Sequence, residues 1–163
     1  MKEQCYERIC IEKDLKPLDI QLESIYLDPN NPRFVGPNWS YIPQDEIASD
    51  SVQEETRRRF VSFFGIDKLR MNMEVNGYLP IDRVIVREFS QSNYVVLEGN
   101  RRICAAKMIS DVAMDGSDMT GEILKSMKMI PCLLCTGSVQ DAAWIFQGLQ
   151  HISGISDWSS FKS

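Results

Sequence analysis

The chain has 163 residues, 44% of them hydrophobic and 25% charged, with a formal net charge of -5. This length suits one domain with a real core, and the composition is close to that of an ordinary soluble globular protein. The excess of acids argues against strong duplex-DNA binding by the chain taken whole, because non-specific DNA affinity comes mainly from Lys and Arg on phosphates.

The first 51 residues are predicted to form a polar lead-in, two short β-rich pieces, a turn and a loop. The first 16 residues mix charges of both signs and lack the apolar middle of a secretory signal, so we predict a cytoplasmic location and no membrane partner. Residues 17–28 hold two short β-rich pieces, and DPNNPR, residues 28–33, has the Asn and Pro residues of a turn. Residues 34–51 show no steady period and are predicted to be a surface loop insertion.

Two helices follow in the prediction. VQEETRRRFVSFF, residues 52–64, has acids in its first turn and bases later, as the helix dipole favours. The helical pattern resumes in IDKLRMNMEV, residues 66–75, and Gly77 is placed as its C-cap. The glycine between the two stretches, Gly65, is expected to break or bend the helix.

The second half alternates strands and helices. LPIDRVIVREF, residues 79–89, and YVVLEG, residues 94–99, predict a β-hairpin. Residues 100–114 predict a helix with Asn100 as N-cap. MIPCLLCT predicts a strand and residues 138–152 a last helix. Because the final residues begin another element and stop, we expect residues 1–163 to be a single domain cut from a longer protein.

The chain has five cysteines, an odd number at irregular spacing that does not predict a disulfide framework. Cys132 and Cys135 form a lone CxxC, which would suit half a zinc site or a redox pair. In a strand, residues three apart point to opposite faces of the sheet. We therefore interpret both as small core residues.

The candidate site is EGNRR, residues 98–102, at a strand-to-helix corner. The free N–H groups and positive dipole end of a helix favour an anion there, and Gly99 allows close approach of a ligand. Arg101 and Arg102 have forked donors that match phosphate oxygens. Glu98 could orient an arginine or help to hold a divalent cation. The alternative is a plain capped helix with two surface arginines, and composition alone leaves both open.

Five short motifs in order resemble the ParB/sulfiredoxin superfamily, especially the ParB N-terminal domain. They are IQLESIYLDPNNPR, NGYLPIDRVIVRE, LEGNRRICAAKMI, MIPCLLC and AAWIFQGLQHI, and they extend from about residue 17 to residue 155 with residues 34–51 as an extra segment. The resemblance implies an α+β fold of the ParB/sulfiredoxin-like type, with a small mixed sheet and flanking helices.

The resemblance also implies a ligand, since ParB domains bind a nucleoside triphosphate with magnesium and several hydrolyse it. The family's phosphate corner matches Gly99, Asn100, Arg101 and Arg102. Its segment beside the base matches Gly77, Pro80 and Ile81, and its metal pair matches Gln150 and His151. Arg33, at the end of the Asn- and Pro-rich turn, is expected to close over the ligand.

The chain departs from the family pattern at the corner and at the metal pair. Asn100 stands where ParB domains have Glu, and Gln150 is a poor substitute for a carboxylate around magnesium. Glu98 could restore a carboxylate, so Glu98 and His151 are the candidates for metal binding and proton transfer. Sulfiredoxins have their catalytic cysteine at the position of Asn100, so that activity is set aside.

The predicted function is therefore a nucleotide-binding, ParB-like domain of a DNA-associated protein, with magnesium and a nucleoside triphosphate as ligands and phosphohydrolase or phosphotransferase activity. The expected macromolecular partners are DNA, reached through the parent protein, and a second copy of the chain as a homodimer. Two alternatives stay open. One is a non-catalytic module that docks protein or DNA, and the other is a ParB-like nuclease.

Overall fold

The computed structural model describes residues 15–31, 34, 40–79, 81, 83–114 and 121–136. Within this part of the chain, the strands are β1 (Leu15–Gln21), β2 (Ile25–Tyr26), β3 (Val84–Ser90), β4 (Asn93–Glu98) and β5 (Met129–Cys135). The helices are α1 (Asp50–Phe64), α2 (Asp67–Asn76), α3 (Asn100–Met114) and α4 (Gly121–Ser126).

The strands form one mixed sheet in the order β1-β5-β3-β4-β2. The pairs β1/β5 and β3/β4 are antiparallel, whereas β3/β5 and β2/β4 are parallel. A parallel pair needs a crossover connection. In the chain, α3 and α4 lie between β4 and β5, the strand that pairs in parallel with β3. The predicted fold class, a small mixed sheet with flanking helices, is confirmed.

The main core lies between one face of the sheet and the helices. Val84 and Val86 of β3 are fully buried there, together with Ile103, Ala106 and Ile109 of α3. Alternate residues of a strand face opposite sides, and Ile85 belongs to a second cluster with Leu97. The small side chain of Ala106 leaves room for α3 to lie close to the sheet.

The two cysteines of the CxxC lie on opposite faces of β5, as predicted. Cys132 belongs to the main core, and Cys135 packs with Leu97 in the second cluster. Burial raises the pKa of the Cys132 thiol to about 12. Its Sγ lies 3.3 Å from the carbonyl oxygen of Ile130, to which it donates. Cys132 is therefore a protonated core residue.

Several boundaries differ from the prediction. α1 begins at Asp50, because the Ser49 side chain accepts a hydrogen bond from Val52 N and so caps the helix. β3 begins at Val84 instead of residue 79. The predicted break at Gly65 and C-cap at Gly77 are confirmed, with φ values of 60° and 76°.

Described residues of the predicted loop insertion form hydrogen bonds and apolar contacts with the rest of the domain. The Asn30 side chain donates to Ile42 O at 2.9 Å and accepts from Ile42 N at 2.8 Å, as a neighbouring strand would. Gln44 Nε2 donates to Phe89 O at 2.6 Å. Ile47 is fully buried against Phe89 and Val95. Residues 40, 41, 43–46 and 49–51 are exposed, as expected of a surface segment, whereas Ile47 is buried.

Among the described residues, no helix is both long and apolar enough to cross a membrane.

Candidate functional site

The EGNRR corner lies at one end of the sheet, where β4 ends at Glu98 and α3 begins at Asn100. Gly99 makes the turn with a φ of 106°, a conformation that L side chains rarely adopt. Its carbonyl accepts from Ile103 N at 3.1 Å, so Gly99 and not Asn100 occupies the N-cap position. The prediction of Asn100 as N-cap was wrong, since its side chain bonds elsewhere.

Gly99 is also needed because Arg102 folds back over it. A Cβ at this position would lie 3.2 Å from Arg102 Nη2 and 3.0 Å from Val84 Cγ2. The sequence predicts that a ligand lies close to Gly99, but the guanidinium of Arg102 fills part of that space. The two arginines therefore differ, because Arg101 is exposed and Arg102 is half-buried.

A third arginine, Arg83, lies at the same end of the sheet. Its Nη1 donates to Cys132 O at 3.3 Å. Both Arg83 and Arg102 are near enough to Cys132 that their charges oppose the rise in its thiol pKa that burial causes. Sequence reasoning missed Arg83, because only the parallel pairing of Val84 with Cys132 brings β3 and β5 together here.

The Asn100 side chain is buried and bonds within the protein. Its Oδ1 accepts from Asp28 N at 3.0 Å, and its Nδ2 donates to Val96 O at 3.3 Å. The residue is 4% exposed. Asn100 therefore joins the start of α3 to the turn after β2, and the part of it suited to the predicted phosphate cradle is its backbone N–H, one of the first in the helix.

Asp28 is a buried carboxylic acid beside this link. It is 3% exposed, and its Oδ1 accepts from Asn30 N at 2.9 Å. Burial raises the pKa of Asp28 to about 6, against the opposing effects of the Asn30 hydrogen bond and the Arg87 charge. Asp28 is not among the residues predicted for the site, although Asp followed by Pro and Asn is a known signal for a side-chain-stabilised turn.

We expect Asp28→Asn to change how stability depends on pH. The folded protein holds the Asp28 proton more tightly than the unfolded chain, so this group's contribution to stability is full below about pH 4 and is lost as pH rises through about 6. Relative to Asp28→Asn, the wild type should lose about 2 kcal/mol of unfolding free energy between pH 4 and pH 7.5. Urea unfolding of both proteins at these pH values measures the difference.

Asp45→Asn is the matched control, because Asp45 is an exposed aspartate of the same charge. Its difference from the wild type should stay nearly constant across the same pH range. A wild-type curve parallel to that of Asp28→Asn would show that Asp28 is not a buried acid of raised pKa.

Three of the other predicted site residues lie in the described part of the chain, and four lie outside it. Glu98 is half-buried at the end of β4, beside the arginines. Ile81 is 81% exposed, while Gly77 is buried, and a Cβ on Gly77 would lie 2.8 Å from Ser126 Oγ of α4. Gly77 is thus required by packing. The predicted residues outside the described part of the chain are Arg33, Pro80, Gln150 and His151.

Of the predicted magnesium ligands, Glu98 alone lies in the described part of the chain. Magnesium is commonly held by one or two carboxylates together with substrate phosphates, and Glu98 at the corner fits that arrangement. No group of three or more His, Cys, Asp or Glu that could hold a metal by itself occurs among the described residues.

No family model matches the chain. No curated protein matches it. Among solved structures, it is similar to the C-terminally truncated chromosome-partitioning protein ParB from Caulobacter crescentus, crystallised with CTP-γ-S, at 13% identity and a TM-score of 0.43. The match covers 83% of this chain and 52% of that one, so the chain spans about half the length of that structure. A likeness of this size does not assign the chain to a family.

Proposed function

We propose that this chain is a nucleotide-binding domain of a DNA-associated protein, with its phosphate site at the corner formed by residues 98–102. The observation that carries this proposal is that Arg83 and Arg102 both lie near Cys132 at the end of the sheet where α3 begins, with Arg101 exposed in the first turn of that helix. Guanidinium forks and the first N–H groups of a helix are the donors that phosphate oxygens favour.

The charge distribution supports an anionic ligand at this corner. The whole chain has a net charge of -5, so the arginines at the corner form a local positive group on an acidic protein. Arg83 and Arg101 are exposed, whereas Arg102 is half-buried. A partly buried cation interacts with a phosphate more strongly than an exposed one, because the surrounding medium screens it less.

Phosphoryl transfer at this site would draw on Glu98 and His151. Glu98 is the carboxylate at the corner and would hold the metal or accept a proton from an attacking hydroxyl or water. The predicted magnesium ion would neutralise phosphate charge and orient the phosphates. In this proposal the arginines bind the phosphates, and the first turn of α3 fixes the positions of Arg101 and Arg102.

The test is calorimetric titration of the 163-residue chain with ATP, CTP, GTP and ADP, with magnesium and with EDTA. We expect at least one triphosphate to bind, with lower affinity in EDTA. Phosphate release from the bound nucleotide would then distinguish hydrolysis from binding alone. If none of the four nucleotides binds under either condition, the proposed function is wrong.

A non-catalytic docking module is the second candidate, and one observation favours it. Apolar side chains are exposed on α2 and just after it, where Met71 is 61%, Val75 74%, Leu79 47% and Ile81 81% exposed. Exposed apolar surface of this kind suits a protein partner. Failure to bind nucleotide, combined with self-association that Val75→Ser abolishes in analytical ultracentrifugation, would favour this alternative.

A further inference from the structure

The aromatic ring of Tyr78 lies buried at the base of the corner. Tyr78 is 5% exposed, and among the described residues its hydroxyl oxygen has no hydrogen-bond partner. Such buried polar groups are uncommon in folded proteins and each requires an explanation. A hydroxyl that serves a ligand-binding residue is one explanation, because its hydrogen bond can form when the ligand binds.

Tyr78 is held firmly in place by its backbone. Its N–H donates to Ser126 Oγ at 2.9 Å, and that hydroxyl donates to Ile123 O at 2.5 Å. On its other side, Gly77 N donates to Met73 O at 2.8 Å. The backbone that carries the ring is therefore fixed between the end of α2 and α4.

The nearby cation is Arg102. Burial raises the pKa of Tyr78, and the charge of Arg102 is the first influence that opposes this rise. Arg102 Nη2 also lies 3.2 Å from the position that a Gly99 Cβ would take, so the guanidinium sits between the corner glycine and the tyrosine. The guanidinium is thus close enough to the hydroxyl to influence it electrostatically.

We propose that Tyr78 is a positioning residue for phosphate recognition, whose hydroxyl oxygen accepts a hydrogen bond from the Arg102 guanidinium and fixes the direction of that fork. This inference rests on the proposed phosphate site. A guanidinium has several N–H donors, so the same fork would contact both Tyr78 and a phosphate oxygen. The hydrogen bond forms when the ligand binds, and it then stabilises the direction of the fork that contacts the phosphate.

The test is a double-mutant cycle with inorganic tripolyphosphate as the probe, because the base is not yet identified. Affinities are measured by calorimetry for the wild type, Tyr78→Phe, Arg102→Ala and the double variant. We expect Tyr78→Phe to weaken binding by roughly three- to tenfold in the wild-type background. It should have no further effect when Arg102 is already alanine, because Tyr78 acts through that residue.

Thermal unfolding separates this role from a structural one. Tyr78→Phe keeps the ring and removes only an oxygen without a partner, so its melting temperature should equal or exceed that of the wild type. Tyr41→Phe, at a tyrosine that is 68% exposed, is the matched control and should change neither property.

The outcomes distinguish this inference from the proposed function. If Arg102→Ala weakens binding and Tyr78→Phe does not, the positioning role is wrong and the phosphate site stands. If Tyr78→Phe has the same effect in both backgrounds, it does not act through Arg102 and the inference is also wrong. If neither tripolyphosphate nor any nucleotide binds to the wild type, both the proposed function and this inference are wrong.

Discussion

Arg102→Ala should weaken nucleoside triphosphate binding by roughly tenfold to a hundredfold, because the charge-assisted hydrogen bonds of one arginine contribute about 1.5–3 kcal/mol. The effect should exceed that of Arg101→Ala, since Arg102 is half-buried and Arg101 is exposed. Calorimetric titration of each variant with the triphosphate that the wild type binds measures both effects.

Arg58→Ala is the matched control for charge. Arg58 lies on α1, is 67% exposed and forms an ion pair with Glu55 at 2.9 Å. The variant removes one positive charge from the protein without touching the corner, so its affinity should equal that of the wild type. An equal loss of affinity in Arg58→Ala and Arg102→Ala would mean that net charge, and not the corner, governs binding.

Asn100→Ala should lower the free energy of unfolding by about 2–4 kcal/mol, because it leaves two buried backbone groups without partners. These are the N–H of Asp28 and the carbonyl of Val96, both bonded to the Asn100 amide. Since the side chain is buried in the fold, the loss should appear without any nucleotide present. Urea unfolding of the unliganded protein measures it.

Asn72→Ala provides the comparison for Asn100→Ala. Asn72 is exposed on α2, and alanine is a better helix former than asparagine, so this variant should be as stable as the wild type or slightly more so. If both variants unfold at the same urea concentration as the wild type, Asn100 does not join α3 to the turn after β2. That result would favour the original prediction that the Asn100 side chain takes part in phosphate binding.

The sequence by itself determined most of the local structure. The pattern of apolar residues and the turn residues of 90–93 predicted the hairpin of β3 and β4, and the boundaries of α3 match the prediction. The placement of Cys132 and Cys135 on opposite faces followed from strand geometry alone. These features depend on residues a few positions apart, whose relation is fixed by the 2.0- and 3.6-residue periods of strand and helix.

The tertiary structure alone decided what surrounds the corner. Asn100 bonds to Asp28 across 72 positions of the chain, and Arg83 bonds to Cys132 across 49. The buried hydroxyl of Tyr78 beside Arg102 follows from how α2, α3 and α4 pack. Local patterns do not encode such contacts, because they depend on which strands pair and in which register. The sequence thus identified EGNRR as the candidate site, and the fold decided which of its side chains are exposed and which are buried.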